Sequence, residues 1–222
     1  MESYFDLLSR CYPLLIQGTL MTLEIFFLSA CLSFSLGLFF GIVMSHRLRI
    51  PILSSVIEGL CFVLRAVPFF VQLLIIYFVF PDLLDFSLGP FAASVIALGL
   101  CSSGYVSQVV RAGINSIAVT QWEMAFSLGY SQLQSLRFII LPQMLRNVLP
   151  PFVNELDALL KSTSITASIG MLELTRAGMN LVSREMEPVA IYLTVALFYL
   201  CISSVLNGGA KILERKVMYV KS

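Results

Sequence analysis

Five stretches of this chain are long and apolar enough to cross a lipid bilayer, and that leaves few folds open to it. A helix rises 1.5 Å per residue, so a hydrocarbon core of about 30 Å takes about 20 mostly apolar residues. Residues 14–45 are interrupted only by Glu24, and residues 52–80 carry Glu58, Arg65 and Pro68. Residues 91–110 and 188–210 hold no charge, whereas 147–169 contain Glu155, Asp157 and Lys161. The predicted fold is all-α and integral to the membrane, with five transmembrane helices in a single domain over residues 1–222.

Composition closes off the alternatives. With 58% hydrophobic and 12% charged residues, the chain has about half the charge of a soluble domain, and more apolar surface than 222 residues could bury. Disorder is excluded on the same ground. Fourteen basic residues against 13 acidic ones give a net charge of +1, so nothing draws the chain to nucleic acid. The five cysteines stand singly and His46 is the lone histidine, so no metal site is expected. The N-terminus carries Glu2 and Asp6 without a basic cluster, and the first apolar run is too long for a signal peptide.

Basic residues near span ends orient the chain, because cytoplasmic loops are enriched in them. Arg47, Arg49, Arg111, Arg137, Arg146, Lys211, Arg215, Lys216 and Lys221 fall on one side, and only Arg10, Arg176 and Arg184 on the other. The N-terminus is predicted outside and the C-terminus in the cytoplasm.

Between the third and fourth spans, residues 120–142 are too polar to cross and too well patterned for a slack loop. Thr120 with Glu123 forms a T-x-x-E capping box, Gly129 is placed for a left-handed helix stop, and Ser131 with Gln134 forms an S-x-x-Q box. Two short cytoplasmic helices are predicted, the second ending before Pro142.

The run Glu123-Met124-Ala125, Gly129, Ile139 and Leu141-Pro142 resembles the EAA loop of permease subunits of bacterial ABC importers. Further stretches resemble the polar amino acid branch: residues 18–24, Arg65-Ala66-Val67-Pro68 with Gln72, residues 113–117, Pro150-Pro151 with Asn154, and Lys161-Ser162-Thr163-Ser164. The likeness runs in order over nearly the whole chain. Departures are Met124 for the central alanine of the motif, Ala66 and Val67 within the family's R-G-T-P, Ser162 within K-D-T-S, and Asp157 at a usually apolar place. The resemblance implies the type I ABC importer permease fold in the bacterial inner membrane. It also implies pairing with a second permease subunit, identical or sister, and docking of Glu123, Ala125, Gly129, Leu141 and Pro142 onto two ATP-binding cassette ATPases. A periplasmic or extracellular binding protein would deliver a polar amino acid. No G-x-x-x-x-G-K-[ST] loop occurs in the chain, so it is expected to hold no cofactor and to leave ATP hydrolysis to its partners.

Ionisable residues within spans point to function. Glu24 lies ten residues into its stretch, about 15 Å deep, and Arg65 and Asp157 each fall one residue from the middle of theirs. Transporter substrate sites cluster near the midplane, and a zwitterion needs both signs. The candidate substrate residues are therefore Arg65 and Gln72 for an α-carboxylate, and Glu24, Glu155 or Asp157 for an amino group. Three acids tilt the substrate toward a basic or amide side chain. Asp157 and Lys161 are equally readable as an internal i,i+4 ion pair. A secondary carrier, with Glu24 or Asp157 binding a coupling ion, is the rival class; it has no evident use for the capped segment. Gly37 with Gly41 is read as a close-packing pair, and Gly208 with Gly209 as another or as a relaxed helix end, packing being the preferred reading for both.

Overall fold

The structure, a computed structural model, describes residues 4–218, with side chains over 7–215. Glu2 and Lys221, and the side chains of Asp6 and Lys216, lie outside the described residues. All regular structure among the described residues is helical. The long helices are α1 (Tyr4–Val43), α2 (Pro51–Ala66), α5 (Pro90–Asn115), α8 (Leu141–Ser162) and α10 (Pro188–Met218). Between them lie α3 (Phe69–Leu74), α4 (Phe80–Leu84), α6 (Val119–Ser127), α7 (Gln132–Ser135) and α9 (Leu174–Glu185).

Three helical segments are long and apolar enough to cross a membrane, Leu7–Val43, Pro90–Asn115 and Pro188–Arg215. The expected second span, 52–80, is not one helix: Val67 and Pro68 interrupt it between α2 and α3. Proline lacks an N–H and holds its predecessor out of helical geometry. The fourth stretch, 147–169, forms α8 followed by a 3₁₀ segment, Thr163–Ile169, that stops at Gly170 with φ +82°.

Pro142 does not end the second short helix, as its sequence position suggested. A π turn at Leu136–Ile140 carries α7 into α8, and another at Ile75–Val79 joins α3 to α4. Phe80 N–H reaches the Ile75 carbonyl and Leu141 N–H the Leu136 carbonyl, five residues back. A proline follows at once in both places, Pro81 and Pro142. In an α-helix the proline ring meets the carbonyl four residues back; a wide turn shifts that carbonyl out of register and admits the ring.

The residues group into two compact units. One comprises Met1–Leu32, Val67–Gly99 and Asp157–Asn207. Its core is Leu7, Cys11 and Leu15 of α1 against Leu174 and Leu181 of α9 and Ile191 and Val195 of α10. Gly18 lets α9 approach α1: a Cβ there would lie 2.9 Å from Leu174 Cα. One turn on, Thr22 Oγ1 accepts the Leu174 N–H at 3.0 Å.

The other unit comprises Ser33–Ala66, Leu100–Leu156 and Gly208–Ser222. Its larger core joins Val106, Val110 and Ile114 of α5 to Trp122 of α6 and Ile140, Met144 and Val148. Gly37 and Gly41 do pack closely, since a Cβ at either would stand 2.6 Å from the Cβ of Val106 or Val110. Gly208 and Gly209 do not, because a Cβ at either would meet nothing within 4 Å in this chain. Glu58, read from sequence as a charge within a span, pairs with Arg111 at 3.0 Å and Arg49 at 3.3 Å.

Candidate functional site

The short helices at residues 119–140 are shaped by three local devices, and two act as the sequence predicts. Gly129 takes φ +83°, Tyr130 N–H bonds the Ala125 carbonyl at 3.1 Å and Gly129 N–H the Phe126 carbonyl at 2.9 Å. This is the six-to-one and five-to-two pattern of a Schellman stop. Ser131 then caps α7: its Oγ accepts the Gln134 N–H and its own N–H donates to Gln134 Oε1 at 2.8 Å. The third device is absent. Helix α6 begins at Val119 behind Ala118 with no side-chain cap, so Thr120 is already inside the helix and the Thr120–Glu123 box does not form. Glu123 is left exposed, with no partner for its carboxylate among the described residues.

Ala125 needs a second correction. It is completely buried beside Trp122, which is itself 2% exposed, so its small side chain serves the chain's own core and not an outside surface. Glu123, Gly129 and Pro142 are exposed and Leu141 is half-buried. Met124, Phe126, Leu128 and Leu133 present apolar side chains on the same segment. Arg137 lies over the Phe138 ring at 5.4 Å.

The charged residues of the apolar stretches have contrasting surroundings. Arg65 is half-buried; its Nε donates to the Cys61 carbonyl at 3.2 Å and it pairs with no carboxylate among the described residues. Glu24 is exposed and has no hydrogen-bond or ion-pair partner among the described residues. Glu155 is half-buried, again with no partner among them. Gln72 is buried and donates to the Val67 carbonyl at 2.7 Å, bracing the chain around Pro68.

Asp157 is the most engaged of the set. Its Oδ2 meets Lys161 Nζ at 2.5 Å, and its Oδ1 accepts from Ser203 Oγ and from Asn207 Nδ2. Two residues of α10 thus join the i,i+4 pair of α8. The absence of charge from residues 188–210 hides both, although Ser203 and Asn207 stand four apart on one face of an apolar helix, a legible signal.

A further buried group is not evident from the sequence. Glu173 is fully buried and caps α9, accepting the N–H of Thr175 and of Arg176, each at 2.8 Å, and the Tyr199 hydroxyl at 2.9 Å. Burial pushes its carboxyl above the ordinary carboxylate range, against the pull of these donors. Glutamate is not among the favoured N-cap residues, so Glu173-Leu174-Thr175 carries no capping signature in the sequence.

The glutamine transport system permease protein GlnP of Escherichia coli (strain K12) is 34% identical over 206 residues, 92% of this chain and 93% of that protein. The arginine transport system permease protein ArtQ of Bacillus subtilis (strain 168) is 32% identical over 205 residues, again 92% and 93%. The crystal structure of an amino acid ABC transporter with histidines superposes with a TM-score of 0.86 at 31% identity, covering 97% of this chain and 99% of that one. The profile of the family described as binding-protein-dependent transport system inner membrane component matches residues 37–219, and to that family of inner-membrane transport components the chain belongs.

Proposed function

We propose that the chain is the permease subunit of an ATP-driven importer of polar amino acids, a single permease domain over residues 1–222. The observation that carries this reading is the near-full-length likeness to permeases named for glutamine and arginine transport. Five spans are proposed: α1, α2 with its continuation through α4, α5, α8 with its 3₁₀ extension, and α10. The N-terminus lies outside and the C-terminus in the cytoplasm. Two ATP-binding cassette ATPases hydrolyse the ATP, a second permease subunit completes the pathway, and a binding protein delivers substrate. Glu123, Gly129, Leu141 and Pro142 contribute to the ATPase-docking segment, with Ala125 holding it to the core from beneath.

Within the membrane Arg65 is assigned the substrate α-carboxylate, because a half-buried guanidinium with no carboxylate partner among the described residues can be satisfied by one from a ligand. Glu24 and Glu155, which have no partner among the described residues either, are assigned the amino group. Gln72 acts by holding the chain at Pro68. Asp157 contributes to recognition through its four-residue cluster.

The test is uptake of labelled glutamine and arginine into proteoliposomes holding the permease, its ATPase and the binding protein. Uptake is expected only with ATP inside. Arg65→Gln should raise the half-saturating concentration at least tenfold, the loss of about 1.5 kcal/mol or more for a charged hydrogen bond. Uptake driven by a proton or sodium gradient without ATPase would instead establish the ion-coupled carrier.

A further inference from the structure

A groove of about 400 Å³ opens in the unit that holds Ser33–Ala66, Leu100–Leu156 and Gly208–Ser222, between α1, α8 and α10. That volume lies within the range of about 300–1,000 Å³ typical of ligand pockets. Among the described residues its walls are hydrocarbon except at one position. Phe34 and Phe152, in edge-to-face contact at 5.2 Å, mark one end, Leu145, Leu149 and Leu213 line the sides, and Arg146 supplies the only charge among the described lining residues.

Along α8 the groove runs from Pro142 to Phe152, ten residues and therefore about 15 Å. This is half a hydrocarbon core of about 30 Å, the reach of one acyl chain. Side chains on a helix lean toward its N-terminus, so the Arg146 guanidinium is carried toward the Pro142 end, away from the aromatic pair. Arg146 is exposed and makes no ion pair with a carboxylate among the described residues. Glu214, beside Leu213 on α10, does not engage it either. The groove is thus apolar along its length, with an unmatched cation toward one end.

We propose that this groove is a binding site for an anionic glycerophospholipid. One acyl chain lies along α8 against Phe34 and Phe152, and the phosphate meets Arg146. Charge complementarity selects this occupant: basic pockets between membrane helices take anionic headgroups, and a long arginine stem can lie on apolar surface while its head meets the phosphate. A zwitterionic lipid fills the same hydrocarbon space without answering the charge. The site is separate from the residues assigned to substrate.

The full-length protein, carrying Leu145→Trp to report from the groove wall and Trp122→Phe to remove its single native tryptophan, is reconstituted with brominated phosphatidylglycerol or brominated phosphatidylcholine. Fluorescence quenching should give an affinity about fivefold higher for phosphatidylglycerol, the share of one arginine against one anionic headgroup. Adding Arg146→Gln should bring the ratio to near one without changing phosphatidylcholine quenching. Equal quenching by both lipids before that change overturns the proposal. So does an absence of quenching by either lipid, which a second copy covering the groove would produce. Native mass spectrometry of the otherwise unaltered chain gives an independent reading: it should retain phosphatidylglycerol and shed it on Arg146→Gln, and retention that ignores Arg146 overturns the assignment.

Discussion

Glu173→Gln isolates one buried carboxylate whose surroundings are fully described, and its effect on stability should depend on pH in a defined direction. The carboxylate takes three hydrogen bonds, from Thr175 N and Tyr199 Oη on one oxygen and from Arg176 N on the other. A glutamine can offer an acceptor to one side only, so at least one buried donor faces an amide N–H₂. Leaving such a group unsatisfied costs about 1–3 kcal/mol, and each kcal/mol lowers Tm by about 2–4 °C in a chain of this length. Burial raises the Glu173 pKa, so the folded state holds its proton at a pH where the unfolded chain has released it. Stability from this group is complete below the ordinary carboxylate range and is lost as pH rises through the raised value. The amide does not titrate. The gap in Tm between native protein and Glu173→Gln should therefore be widest at acid pH and narrow toward neutrality. Thermal unfolding followed by circular dichroism from pH 4 to 8 measures it, and taking the difference cancels the titration of other carboxylates. A gap that stays constant, or widens toward neutral pH, would refute the account of Glu173 as a carboxyl dominated by burial.

Gly41→Leu should lower Tm, because its Cβ would stand 2.6 Å from Val110 Cβ and 2.8 Å from the Ser107 carbonyl, an overpacking cost of about 1–3 kcal/mol; Gly208→Ala, with open space around it, should leave Tm unchanged or slightly raised. Gly129→Trp forces a bulky residue to φ +83° at the joint of α6 and α7; it should insert in the membrane yet fail to co-purify with the ATPase and lose substrate-stimulated ATP hydrolysis, and normal values of both would remove Gly129 from the coupling segment. Asp157→Asn should reduce expression, and adding Lys161→Gln should restore expression and transport if pairing is its main role. Normal expression with lost transport and no rescue would instead assign Asp157 directly to substrate.

Hydropathy located the three long apolar helices, Leu7–Val43, Pro90–Asn115 and Pro188–Arg215, because a bilayer-length apolar run is a coarse feature, insensitive to the exact path of the backbone. What it could not resolve is how prolines act. Pro13, Pro150 and Pro151 lie within continuous helices, whereas Pro68 separates two. Pro81 and Pro142 sit just beyond π turns. The outcome depends on where the carbonyl four residues back can go, and that is set by packing rather than by the local sequence. The two capping boxes differ for a comparable reason. Ser131 follows a glycine stop and enters its helix from extended backbone, φ −68° and ψ 165°, so its side chain can turn back to Gln134. The break before α6 comes two residues too early for Thr120: the extended residue is Ala118, with φ −55° and ψ 138°, so the helix begins at Val119 and the threonine is already inside it.

The same distinction governs the charged residues. Charges in apolar stretches are visible in the sequence, but whether a charge is matched depends on neutral residues far along the chain, as Ser203 and Asn207 are from Asp157. Their contacts divide the acids into two kinds. Asp157 has Lys161, Ser203 and Asn207 already bound, so any ligand or coupling ion must displace internal partners to reach it. Glu24 has none among the described residues, although it sits ten residues into an apolar stretch where an unmatched carboxylate facing lipid costs several kcal/mol. Such a residue is tolerable only where water or a polar ligand reaches it. In the proposed substrate site Glu24 and Glu155, rather than the more conspicuous Asp157, are therefore the acids that could meet an amino group without displacing an internal partner among the described residues.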